Sequence, residues 1–197
     1  GDSRENNGVT YDTASDGYGL TGEVNRSLGK VFATLNVGCA SERVNTIVTT
    51  TSLYARRLAL LQYCSHVACG YGINDIIFDS RTSAQVLVDL QTLWASFGNR
   101  PIYQRALSPV STSTDSWATT ANQTTHANNA QRTALNDLIR FMPAGLSGVF
   151  EVADQVESAR NSGIWKASYT ADGTHGNQTA NVAIQTSGVV QLALLQQ

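Results

Sequence analysis

The chain has 197 residues, enough for one domain with a sizeable core, and residues 1–197 read as a single unit. Hydrophobic residues make up 42%, but charged residues only 14%, against roughly 25% in an average domain, so Ser, Thr, Asn and Gln carry much of the surface. With a net charge of −2 and no block of Lys or Arg, nothing favours a nucleic-acid partner, and no apolar run of about 18 residues is available to span a membrane.

Residues 31–37 form an apolar run that predicts a strand ending at Gly38. Residues 44–64 predict a helix with Ile47, Tyr54, Leu58 and Leu61 on one face. A short strand over 66–69 leads into Gly70-Tyr71-Gly72. Residues 82–97 give the clearest helix. Thr82 and Gln85 make a capping box, Val86, Leu90, Leu93 and Phe97 form the buried stripe, and Gly98, Asn99 and Pro101 stop it. Trp94 lies near that stripe and reads as core.

Residues 102–107 predict the next strand, and 108–128 a long polar loop of a length that is often functional. A helix over 129–142 should turn Leu135, Leu138 and Met142 inward, a strand follows at 149–152, and a last helix covers 177–194. Strands alternating with helices predict a parallel sheet covered on both faces, with the chemistry at the carboxyl ends of the strands.

Four polar or Gly-rich clusters occupy such places: Gly1-Asp2-Ser3, Gly38-Cys39-Ala40-Ser41, Gly72-Ile73-Asn74-Asp75 and Asp172-Gly173-Thr174-His175. Acyl transfer needs a nucleophile, a base, a group that orients the base, and donors for the oxyanion. Ser3 can attack, His175 can take its proton, and Asp172 can hold the imidazole. The backbone N–H of Ser3, an unobstructed N–H at Gly38 and the side-chain amide of Asn74 can form an oxyanion hole. Each residue has a plainer alternative: Ser3 and His175 as surface residues, Asp172 as a helix cap, Asn74 as a turn residue. Asp2 and Asp75 read as structural, holding loop amides.

These four clusters together resemble the SGNH (GDSL-type) hydrolase family. Gly1-Asp2-Ser3 is similar to its first block, Asn36-Val37-Gly38 to its second, Gly72-Ile73-Asn74-Asp75 to its third and Asp172-Gly173-Thr174-His175 to its fifth, in family order. The resemblance implies a three-layer α/β/α sandwich with a mostly parallel, flavodoxin-like sheet. It also implies a serine hydrolase of carboxylic esters that needs no cofactor or metal. It further implies a buried strand directly before Gly1, which this sequence does not contain and which an additional N-terminal segment is expected to supply.

The polar loop carries Trp117, which can stack on a sugar or acyl group or merely anchor the loop. Trp165, with Tyr169, precedes the Asp-His block and can wall a pocket. Both are substrate-contact candidates, and the polar loop with Trp117 points to an acetylated carbohydrate or other small ester as substrate. A non-catalytic glycan-binding module of a larger surface or virion protein is the alternative, as is a lipase or thioesterase of the same family. His66 and His126 lack a second ligand at metal spacing. Cys39, Cys64 and Cys69 allow one bridge at most and read more simply as reduced packing residues.

Overall fold

A computed structural model describes residues 1–5, 22–28 and 31–195. At its centre three parallel strands, β1 (Val67–Cys69), β2 (Ile102–Arg105) and β5 (Gly148–Phe150), lie in the order β1-β2-β5. Val67 pairs with Ile102, and Tyr103 with Gly148. Every residue of β2 is buried, as a strand flanked on both edges and covered on both faces must be.

Successive strand side chains point to opposite faces, and β2 divides them between two cores. Ile102 joins Ile47, Val86, Leu90, Trp94, Leu135 and Ile139 on one face. Tyr103 joins Phe150, Val152, Trp165, Ala180 and Ile184 on the other, its ring stacked on Phe150 at 5.1 Å. The result is the expected three-layer α/β/α arrangement.

The first layer is built by α2 (Val44–Thr49), α3 (Thr51–Leu58), α4 (Ile73–Ile77), α5 (Ser83–Ala95) and α6 (Asn129–Arg140). α5 begins on the expected capping box, with both reciprocal bonds between Thr82 and Gln85 present, and its stripe of Val86, Leu90, Leu93 and Phe97 is buried. The expected helix over 44–64 is broken at Thr50 and ends in a 3-10 turn over Ala59–Tyr63. Asp75 accepts the N–H groups of Val44 and Asn45, so a buried carboxylate in the first turn of α4 caps α2. The second layer is built by α1 (Asn25–Leu28), α7 (Ala153–Val156), α8 (Gln178–Ser187) and α9 (Val189–Leu195), the last two separated by Gly188 in the left-handed region.

Three expectations need correction. Residues 31–37 form no regular strand: among the described residues β1 is the edge of the sheet and no strand lies between it and this run to supply a ladder. Val31 and Leu35 are 66% and 54% exposed in consequence. The polar stretch 108–128 is not structureless: β3 (Ser111–Ser113) and β4 (Gln123–Thr125) pair antiparallel within it. Finally α6 stops at Arg140 and Met142 takes a positive φ, so Ile139 fills the inward place expected of Met142, which is exposed.

Among the described residues no helix is long and apolar enough to cross a membrane. Cys39, Cys64 and Cys69 are free thiols.

Candidate active site

Ser3 sits on the turn that follows Gly1 and Asp2, and the Asp2 N–H reaches Gly70 O, just beyond β1. His175 comes from the loop before α8, 172 positions along the chain, yet its Nε2 lies 2.9 Å from Ser3 Oγ. Its Nδ1 lies 2.6 Å from Asp172 Oδ2. With Nδ1 protonated towards the carboxylate, Nε2 is left to accept the serine proton. Sequence reasoning placed these three residues together, and the structure brings them into one line.

The geometry of the Asp172–His175 loop is over-determined. Asp172 Oδ1 accepts the N–H groups of Thr174 and His175, each at 2.8 Å. Burial acts to raise the Asp172 pKa, but the hydrogen bonds from His175 and Thr174 outweigh it and hold the carboxyl at about 2. Thr170 Oγ1 donates to His175 O and accepts the Gly173 N–H.

Gly173 has φ +75°, and a Cβ there would lie 1.9 Å from Ser111 O, so only glycine fits. Its carbonyl accepts both Ser111 N–H and the indole N–H of Trp165, each at 3.0 Å. The β3–β4 hairpin and Trp165 thereby pin the loop from below.

Of the two tryptophan candidates, Trp165 departs from the pocket-wall reading and Trp117 takes one of its two expected parts. Trp165 is fully buried and cannot wall a pocket; its ring packs in the core and its N–H holds Gly173 O. Trp117 is half-buried, donates from Nε1 to Ser111 Oγ at 3.1 Å and packs under Gly173, which is the loop-anchor alternative.

The oxyanion donors are less simply arranged. Asn74 lies in α4 behind Gly72, whose φ of +119° makes the strand-to-helix corner. Its Nδ2 donates to Glu42 O at 2.9 Å. An amide carries two N–H donors, so this bond orients the side chain and leaves a second to offer. The Gly38 N–H is not unobstructed, as expected from sequence, but donates to Asn36 Oδ1 at 2.9 Å in a local Asx turn.

Beneath Ser3 lies a charge cluster that sequence reasoning missed. Arg105, at the end of β2 and fully buried, contacts Asp2, Glu5, Glu23 and Gly70 O. Arg4 donates to Ser108 O at 2.9 Å and Pro109 O at 3.0 Å. Asp2 Oδ1 accepts the Arg4 N–H, and Glu5 accepts the N–H groups of Val24 and Asn25. The residues on both sides of Ser3 are thus fixed by buried polar contacts. The available signal was an Arg inside an otherwise buried strand run.

Among the described residues no group of three or more His, Cys, Asp or Glu is placed to hold a metal.

The fold is that of SGNH-type hydrolases. A protein from Streptococcus pneumonia superposes with a TM-score of 0.61 at 16% identity, over 86% of this chain and 77% of that one. A carbohydrate acetylesterase from Sinorhizobium meliloti gives 0.56 at 15% identity, over 89% and 85%. An aryl esterase from M. smegmatis gives 0.55 at 13% identity, over 89% and 85%. No protein-family profile matches the sequence, and no curated protein matches it in sequence.

Proposed function

We propose that this protein is a serine esterase that hydrolyses carboxylic esters through an acyl-enzyme on Ser3. The observation that carries the reading is the line from Asp172 through His175 to Ser3, with separations of 2.6 and 2.9 Å. That contact supports turnover over a glycan-binding module without chemistry, which has no need of a serine hydroxyl aimed at a ring nitrogen.

Ser3 Oγ attacks the ester carbonyl as its proton passes to His175 Nε2. The oxyanion accepts hydrogen bonds from the Ser3 N–H and from Asn74 Nδ2, with Gly38 as the third donor once it leaves Asn36. The ester C–O bond breaks, and the alkoxide leaves as an alcohol with the His175 proton. Water then loses a proton to His175 and attacks the acyl carbon, and Ser3 Oγ leaves with that proton as the acid is released. Asp172, kept ionised, favours the imidazolium in both halves of the reaction.

For substrate we infer an O-acetyl ester of a carbohydrate, in keeping with the likeness to a carbohydrate acetylesterase and with a surface poor in charge. The test is Ser3→Ala assayed on a small acetyl ester and on acetylated sugars. Hydrolysis should fall by at least about a thousandfold with circular dichroism unchanged. Retained hydrolysis overturns the mechanism, and a preference for lipid esters overturns the substrate assignment alone.

A further inference from the structure

Asn74, the side-chain oxyanion donor of the proposed reaction, has an amide with two unlike ends. The last torsion of an asparagine is broad and nearly two-fold, so the side chain does not itself choose between them. One end donates and the other accepts, and a flipped amide would set Oδ1 against the developing oxyanion. The choice is made by Glu42. Its carbonyl oxygen accepts from Asn74 Nδ2 at 2.9 Å and would meet Oδ1 as lone pair against lone pair. Whatever holds the Glu42 carbonyl therefore holds the donor.

That carbonyl sits on a strained loop. The Glu42 N–H closes a turn on Cys39 O at 3.4 Å, and inside the turn Ser41 has φ +64°, a left-handed conformation uncommon outside glycine. The Glu42 side chain fastens the turn. Its Oε2 accepts from the Tyr71 hydroxyl at 2.8 Å and from Arg57 Nη1 at 2.7 Å, and its Oε1 accepts from Arg57 Nη2. The guanidinium, presented by α3, grips the carboxylate with two bonds, a fork that fixes direction as well as distance. Tyr71 is buried at the same strand-to-helix corner as Asn74, so Glu42 is tied to that corner through its backbone and its side chain at once. Burial acts to raise the Glu42 pKa, but the hydrogen bonds from Arg57 and Tyr71 outweigh it and hold the carboxyl below its usual range. A standing negative charge thus lies beside the oxyanion donor, and Arg57 neutralises it.

We propose that Arg57 is a positioning residue for ester hydrolysis: acting through Glu42, it keeps the Asn74 Nδ2 donor turned towards the oxyanion. Without the fork, Ser41 relaxes from its left-handed φ, the Glu42 carbonyl turns off Nδ2, and the amide samples both ends. The catalytic consequence rests on the esterase reading; the hold on the Asn74 amide does not.

The experiment is a double-mutant cycle. Arg57→Met keeps an apolar stem and removes the fork; Asn74→Ala removes the donor. Arg57→Met should lower kcat for a small acetyl ester about tenfold with KM changed less than about twofold, and Asn74→Ala should lower it about 10²–10³-fold. In the Asn74→Ala background Arg57→Met should cost less than about twofold more, because no amide is left to position. A loss of about tenfold in both backgrounds would make Arg57 merely structural and overturns the proposal, as does full activity of Arg57→Met. Arg57→Lys keeps the charge without the fork; it should fall between parent and Arg57→Met, and it takes the place of Arg57→Met in the cycle if that variant does not fold. Exchange of the Asn74 side-chain amide, read by NMR in chains carrying Ser3→Ala, is independent of turnover. It should be at least about tenfold faster with Arg57→Met than with Arg57 in place, and unchanged exchange overturns the proposal. Faster exchange in a protein that hydrolyses no ester supports the hold on Asn74 and removes the esterase reading alone.

Discussion

Arg105 reaches Asp2 beneath the nucleophile turn, its Nη2 3.3 Å from both carboxylate oxygens. The pair joins the end of the central strand to the residue directly before Ser3, and both side chains are buried. A buried pair costs desolvation and returns it only while both partners stay satisfied. Asp2→Asn keeps an oxygen for the Arg4 N–H but removes the charge facing Arg105, which retains Glu23 and Glu5. A loss of about 1–3 kcal/mol in urea unfolding is expected, below the cost of an orphaned buried charge. A variant as stable as the parent would show that the clamp contributes nothing.

Asp172→Asn separates orientation of His175 from its electrostatics. The asparagine oxygen can still accept the N–H groups of Thr174 and His175, so the loop should stay folded. What is lost is the acceptor facing Nδ1 and its charge: the Asn Nδ2 in place of Oδ2 is a donor, so the ring is held with its proton on Nε2, where it cannot take the serine proton. The rate constant for ester hydrolysis should fall about 10⁴-fold, with KM changed little. Because Asp172 titrates at about 2, well below the usual carboxylate range, its contribution to stability is present above about pH 4 and is lost only as pH falls through 2. The asparagine variant should therefore lack the acid-limb loss of stability that the parent shows there in a pH series of unfolding curves.

Glu5 behaves in the opposite sense. Burial pushes its carboxyl from 4.5 up to about 7, with Arg105 opposing the shift and Glu23 adding to it. The folded chain therefore holds a proton at Glu5 that the unfolded chain has already released. The stability this supplies is full below the unfolded value of 4.5 and is lost as pH rises through 7. Glu5→Gln, which mimics the protonated form, should flatten the decline between about pH 5 and pH 8 and make the variant the more stable protein at the upper end, by at most about 3 kcal/mol. A parallel decline in both proteins would assign the pH dependence elsewhere.

What could be read from the sequence was whatever is local. The capping box of Thr82 and Gln85 spans three residues, and so does the Asp172–His175 pair; both are present as expected. The alternation of strands and helices gave the layered fold for the same reason. Residues 31–37 show the limit. Their apolar pattern is that of a strand, but a strand needs a ladder, and the ladder must come from a separate segment. The hairpin of β3 and β4 was hidden because Ser, Thr and Gln dominate it and leave no hydrophobic period to detect. Arg105 and Asp2 lie 103 positions apart, so no spacing rule could join them.

The last test concerns the support under His175. Trp165 Nε1 and Ser111 N–H share the Gly173 carbonyl, and Gly173 separates Asp172 from Thr174 and His175. Trp165→Phe removes one donor and keeps an aromatic ring in the buried site. The carbonyl keeps its bond from Ser111, so no group is stranded there; lost hydrogen bonding and lost ring volume together should cost about 1–2 kcal/mol. If Trp165 acts by holding the loop, the rate constant should drop several-fold at unchanged KM, because the serine–histidine contact loosens while the surface that meets substrate is untouched. Gly173→Ala is the severe form of the same perturbation, since its methyl group would collide with Ser111 O and the backbone would have to leave φ +75°. It should lose most activity while the far core around Leu90 and Trp94 keeps its amide protection. Loss of protection in both cores would instead mean that Gly173 serves the fold as a whole rather than the Asp172–His175 loop.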